Sequence, residues 1–204
     1  MRSALAPHFC NTRRFKRYPM EEILIQSGQV LLAEPFMMDS NFSRAAVLLC
    51  EHNQEGSLGF ILNKPLQMRV DELVVDFPEF DSEVFLGGPV QTDTLHYLHC
   101  RGDIVDESIR VADGVYWGGD FKKLKALIRH QVIEPSEIRF FVGYSGWSEG
   151  QLSGEMTYGS WVIANMDANY LFNTKPADLW RRIMENMGDR YTVIAQLPDY
   201  SNWN

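Results

Sequence analysis

Residues 28–65 constrain the fold more than any other part of this sequence. Three apolar runs, residues 30–33, 45–50 and 60–62, are each bounded by Gly, Pro, Asn or a charged cluster. Runs this short are too brief for a helical face of several turns, but they suit buried strands joined by polar loops. Glu34, Asp39, Arg44, Glu51, His52, Asn63 and Lys64 consequently fall at strand ends and in loops.

The later pattern adds helices without regular alternation. Residues 70–75 predict a short helix ending before Pro78, and residues 84–86 and 95–99 read as strands flanking the turn Gly87-Gly88-Pro89-Val90. Asp120 is placed to cap a helix running to about His130, its side-chain oxygen accepting first-turn N–H groups. Residues 138–142, 161–164 and 191–195 are β-branched or aromatic runs and read as strands. Pro176 suits the first turn of a helix with Leu179, Trp180, Ile183, Met184 and Met187 on one face, and Gly188 stops it. Strands outnumber helices and do not alternate with them. This predicts an α+β fold with a mostly antiparallel, curved sheet rather than a doubly wound parallel one.

Size and charge narrow the functional classes. A chain of 204 residues with 45% hydrophobic and 23% charged side chains buries a core without metal or disulfide staples. No repeat, low-complexity segment or linker interrupts residues 21–204, which read as one domain. No apolar run nears the roughly 18 residues a membrane-spanning helix needs, so no membrane partner is expected. Three widely spaced cysteines, Cys10, Cys50 and Cys100, form neither a disulfide framework nor a paired-cysteine zinc site. A reducing cytoplasm is the simplest setting.

Arg2, Arg13, Arg14, Lys16 and Arg17 lie in the first 20 residues with no acid, leaving 14 of the 19 basic side chains against all 27 acids, a formal −13, in the rest. A body this acidic repels a phosphate backbone, which argues against nucleic acid as a partner. Residues 1–20 lack the apolar core of a secretory signal. They read as a disordered basic tail, or as the product of an upstream start with Met20 the native initiator, and are expected to contribute nothing to the fold.

Several short patterns invite chemistry. Gly143-Tyr144-Ser145-Gly146-Trp147 resembles a nucleophile elbow but has Trp147 where G-x-S-x-G requires glycine. The better reading is a sharp turn ending the 138–142 strand, with Tyr144 and Trp147 packing or lining a groove. Cys50 and His52 share a face if strand alternation holds, so the imidazole could ionise the thiol; the alternative is a buried, inert cysteine. His96 and His99 point to opposite faces of an extended strand, and no second ligand cluster accompanies them, so no metal is expected. Gly87-Gly88-Pro89 could offer N–H groups to an anion, yet carries no nucleotide fingerprint, so no cofactor is expected.

The block 28–65, Phe85-Leu86-Gly87-Gly88-Pro89-Val90, Gly143-Tyr144-Ser145-Gly146-Trp147, Gly150-Gln151-Leu152 with Glu155, and Trp161 follow one another in order. Together they resemble the YqgE/AlgH family of bacterial proteins, over nearly all of the body. Ala45 stands where relatives often carry serine, Thr94-Leu95-His96 replaces their usual Arg-Gly-Phe, and the terminal Gly-His-Ala is missing. The resemblance implies a sheet bent into a partial barrel with helices packed outside. The polar residues of the shared motifs, Glu34, Asp39, Arg44, Glu51, His52, Asn63, Lys64, Gln151 and Glu155, fall mostly at strand ends and in loops, a placement that suits a cleft.

Family members are labelled transcriptional regulators, which implies influence on gene expression. The acidic body and the lack of a helix-turn-helix signal point to an indirect route through a protein or small-molecule partner. The expectation is therefore a cytoplasmic binding or regulatory module with no established reaction. The alternatives are a thiol-dependent or hydrolytic enzyme using Cys50 and His52, and a direct DNA-binding regulator.

Overall fold

The computed structural model describes residues 24–198, so the expectation for the basic N-terminal tail lies outside the described residues. Ten strands and six α-helices follow in the order β1 (Gln29–Ala33), β2 (Ala46–Asn53), β3 (Gly56–Ile61), β4 (Pro65–Arg69), α1 (Val70–Leu73), β5 (Glu83–Leu86), β6 (Val90–His99), β7 (Ile109–Ala112), β8 (Val115–Trp117), α2 (Phe121–Arg129), β9 (Ile138–Ser148), α3 (Gln151–Thr157), β10 (Trp161–Asn165), α4 (Ala168–Phe172), α5 (Pro176–Asn186) and α6 (Asp189–Ala195). One sheet runs β10-β1-β2-β3-β9-β6-β8-β7, with β4 paired to β5 and β5 to β9. Every pairing is antiparallel except β5 with β9. The sheet curls into an open half-barrel, the mostly antiparallel α+β architecture the sequence predicts.

The curl brings strands remote in the sheet order together. Gly28, just before β1, sits at φ +83°, and a Cβ there would meet the Val111 carbonyl oxygen of β7 at 2.6 Å. Only glycine accommodates both that dihedral and that approach.

Three apolar clusters fill the two faces. Alternation along β1 and β2 sends Val30, Leu32, Leu48 and Cys50 to one face, where they meet Phe60, Phe141 and the buried side of α5, Leu179, Trp180, Ile183 and Met184. Leu31, Ala33, Val47 and Leu49 go to the other face, against Trp147, Trp161 and Leu152 and Met156 of α3. Farther along, Phe140, Tyr97 and Val84 pack on Leu124 and Ile128 of α2. Asp120 caps α2 as expected, its Oδ1 accepting from the N–H groups of Lys122 at 2.8 Å and Lys123 at 3.1 Å. Pro176 occupies the first turn of α5.

Three local expectations need correction. Residues 191–195 belong to helix α6, not to a strand. Tyr191, Ile194 and Ala195 reach the core at helical spacing while Val193 is exposed, so tertiary packing overrides β-branched composition. Residues 143–148 do not turn away after 142 but continue β9. Gly143 takes φ +64° opposite a bulge in β6, where the register jumps from Val90–Tyr144 to Leu95–Val142. Finally, β2 carries a bulge between Leu49 and Glu51, which breaks the alternation that would have placed Cys50 and His52 together.

Candidate functional site

The bulge in β2 assembles a row of side chains at the open rim of the sheet. Directly opposed residues of neighbouring strands share a face. Glu51 opposes Leu58, and Leu58 opposes Gly146, across β2, β3 and β9. The next row is Asn53, Gly56 and Ser148. The Tyr144 ring lies over Gly146, where an added Cβ would stand 3.2 Å from its Cε2. Together with Glu55, Ser57, Val90 and Trp147 these residues, Ser148 apart, line an open groove of about 510 Å³.

The groove has an acidic rim and an apolar floor. Glu51 and Glu55 are both exposed at the tip of the β2–β3 hairpin. Asn53 holds that tip in shape, donating to Glu51 Oε1 at 2.8 Å and accepting the Glu55 N–H at 2.8 Å. Leu58 and Tyr144 supply the floor. Behind Tyr144 stands His96, its ring edge-on with centroids 6.0 Å apart, itself against Phe60 at 5.1 Å. Burial pushes the His96 pKa down, so its ring is neutral at pH 7 and acts as packing rather than as a charge. Such a surface is arranged to take a cation attached to apolar matter.

The other sequence candidates lie elsewhere, and most of them hold the scaffold. His52 is thrown to the opposite face, where Nδ1 lies 2.7 Å from Ser57 Oγ. Cys50 stays buried and its thiol pKa is pushed up by desolvation, the reverse of a reactive thiolate. Ser145 is fully buried and donates to the Gly87 carbonyl at 3.0 Å. Gly87 and Gly88 are buried where β5 and β6 cross β9, with the Gly87 N–H spent on Val142 at 2.8 Å, while Pro89 is exposed at the start of β6. Gln151 and Glu155 sit on α3, and Glu155 receives the indole N–H groups of Trp147 and Trp161.

A second group clusters around the entry to β2. Asn63 accepts the Ala46 N–H at 2.9 Å and donates to the Arg44 carbonyl at 2.9 Å. Lys64 donates to the Ser40 carbonyl at 2.7 Å, and the Glu34 and Asp39 carboxylates accept N–H groups of Phe36 and Asn41 within their own loop. Arg44 reaches the C-terminal segment, donating to Leu197 and Pro198 carbonyls at 2.5 and 2.9 Å, and stacks on Trp180 at 4.7 Å. Of the sequence candidates, Glu51, Tyr144 and Trp147 therefore line the groove. Asn53, Glu55, Ser57, Leu58, Val90 and Gly146 were not singled out by sequence. The two-residue connection before Gly56 is the signal for the hairpin tip that carries three of them.

Among the described residues no three His, Cys, Asp or Glu side chains group to hold a metal ion. His99 spends both ring nitrogens, Nε2 on the Gly118 carbonyl at 3.0 Å and Nδ1 on the Arg101 N–H at 3.1 Å. No helix among the described residues is long and apolar enough to cross a membrane.

The fold recurs in solved structures. A crystal structure of a Corynebacterium diphtheriae protein matches with a TM-score of 0.73 at 22% identity, covering 87% of this chain and 95% of that one. The solution structure of AlgH from Pseudomonas aeruginosa matches with a TM-score of 0.67 at 26% identity, covering 84% and 93%. A UPF0301 protein of Chlorobium phaeobacteroides is 44% identical over 180 residues, 88% of this chain and 96% of its own length. One of Cytophaga hutchinsonii is 40% identical over 177 residues, 86% of this chain and 97% of its own length. The AlgH-like family profile matches residues 30–192, so with this half-barrel and these relatives the chain belongs to the AlgH-like family.

Proposed function

We propose that this protein is a cytoplasmic binding module whose rim groove captures a basic, partly apolar segment of a protein partner, and that it influences gene expression through that partner. The observation that carries this reading is the row Glu51, Leu58, Gly146 under Tyr144, with Glu55 beside it, in one open groove. Two carboxylates at the rim attract a Lys or Arg side chain and steer its approach. Leu58 and the Tyr144 ring accept its aliphatic stem and an apolar neighbour. The acidic body favours the same class of partner and repels nucleic acid, which supports an indirect route to gene expression.

A thiol-dependent or hydrolytic activity finds no such support. Cys50 is buried and separated from His52 by the bulge, and the Ser145 hydroxyl is fully buried on a backbone carbonyl. The reading is tested by titrating the protein with a short Lys/Leu peptide and following backbone amide shifts. Shifts at the β2–β3 tip and at residues 144–147, absent with the matching Glu/Leu peptide, are the expected result. Equal responses to both peptides, or shifts confined to other surfaces, would overturn it.

A further inference from the structure

A second cavity lies away from the groove, where the start of β9 and the start of β5 meet α4 and the first turn of α5. Its volume is about 250 Å³, the size of a small molecule rather than of a peptide. Arg139 lines it. Alternation along β9 aims this arginine toward the face that Phe141 buries, and its guanidinium lies 4.5 Å over the Phe85 ring. One nitrogen, Nη1, donates to the Leu62 carbonyl at 2.9 Å. No carboxylate among the described residues lies within ion-pair distance of it. Desolvation brings its pKa down to about 10, and the field of Glu83 offsets this only in part. A half-buried guanidinium that makes one carbonyl bond keeps the rest of its fork available to an anion in the cavity.

The rest of the wall limits what that anion can be. Asp81 and Glu83 also line the cavity, so a dianion such as phosphate meets repulsion there, whereas an ammonium group is welcome. Leu171, Phe172 and Phe85 provide apolar wall. Pro176, in the first turn of α5, also lines the cavity, and α5 starts there with no side-chain cap, which puts the positive end of that helix at the cavity wall. We infer that this cavity is a second binding site, for a small zwitterion with an apolar body such as an aliphatic α-amino acid, its carboxylate on Arg139 and its ammonium facing Asp81 and Glu83. The site is independent of the rim groove and stands or falls without it.

The test is calorimetric titration of the full chain with L-leucine, L-leucinamide, 4-methylpentanoate and inorganic phosphate at neutral pH. Saturable L-leucine binding with a Kd on the order of 1 mM is expected, as befits a ligand of so few atoms. The amide, which lacks the carboxylate, and 4-methylpentanoate, which lacks the ammonium, each bind at least about tenfold more weakly, and phosphate does not compete. Arg139→Met keeps an apolar stem on Phe85 and abolishes binding. Ser136→Phe, at an exposed position on the cavity mouth, blocks entry without touching Arg139 and decides the matter should Arg139→Met not fold. No saturation with L-leucine up to roughly 10 mM, unchanged affinity in Ser136→Phe, or leucinamide, 4-methylpentanoate or phosphate binding as well as leucine would each overturn the inference.

Discussion

Glu155 Oε2 accepts the indole N–H of Trp147 at 3.0 Å, and the same oxygen takes the Trp161 N–H at 2.7 Å. Through this one carboxylate α3 fixes the end of β9 against β10, on the face of the sheet opposite Leu58. Gln151 steadies the acid, donating to Oε1 at 3.0 Å. Removing the acceptor leaves two partly buried indole donors without it. Glu155→Ala is expected to cost roughly 2–4 kcal/mol in denaturant unfolding, and Glu155→Gln, which keeps one acceptor, about half of that. Tryptophan emission should shift to the red in the alanine variant. Loss of less than about 0.5 kcal/mol would show that the pair is incidental.

Arg44 holds a left-handed backbone, φ +48°, while joining three parts of the chain: the loop before β2, α5 through Trp180, and the carbonyls of Leu197 and Pro198. Such strain persists only where the surroundings fix it. Arg44→Met is predicted to lose about 1–2 kcal/mol, since charged hydrogen bonds and a cation–π contact go together. Deleting residues 197–204 should remove much of the same energy. The two changes combined should then cost less than their sum, and strict additivity in a double-mutant cycle would contradict the link.

His99 gives the fold an acid-sensitive point. Its pKa is pushed down, chiefly by burial, and Nδ1 must stay unprotonated to accept the Arg101 N–H. The unfolded chain titrates near the ordinary value of 6.5, so above that pH neither state is protonated and the full stability is present. Below it the unfolded state takes up a proton that the folded state resists, and stability falls toward the depressed folded pKa. His96 adds in the same direction. Urea midpoints measured from pH 7.5 to 5 should decline, and the decline should shrink in a His96→Phe, His99→Gln variant. An unchanged slope in the variant would contradict this assignment.

The buried, neutral Cys50 thiol predicts slow chemistry. Iodoacetamide at neutral pH should modify Cys100, which is partly exposed, well before Cys50, whose labelling should follow the rate of opening of the fold. Cys50 labelling ahead of Cys100 would revive the thiol-enzyme reading.

Much of the fold is legible locally because its signals are local. The apolar bursts at 30–33, 45–50 and 60–62 become β1, β2 and β3, Asp120 caps α2, and Pro176 begins α5. Helix α3 is not, since it starts from a left-handed Gly150 with no capping side chain and carries Gly154 inside. Residues 191–195 mislead because their composition suits a strand while their burial spacing suits a helix. The groove is least legible of all. It depends on a bulge at Cys50 and on Leu58 opposing Gly146, a pairing between distant parts of the chain that no short pattern encodes.

The central claim, that the acidic rim over Leu58 and Tyr144 is a binding surface for a basic segment, is tested most directly by charge reversal. The measurement is the affinity of the Lys/Leu peptide for the wild type and for the Glu51→Lys, Glu55→Lys variant, at low and at high salt. Both positions are exposed, so the variant should fold with the wild-type melting behaviour. The account predicts at least about tenfold weaker binding in the variant at low salt, a gap that narrows as salt rises. Equal affinity in the two proteins at low salt would contradict it.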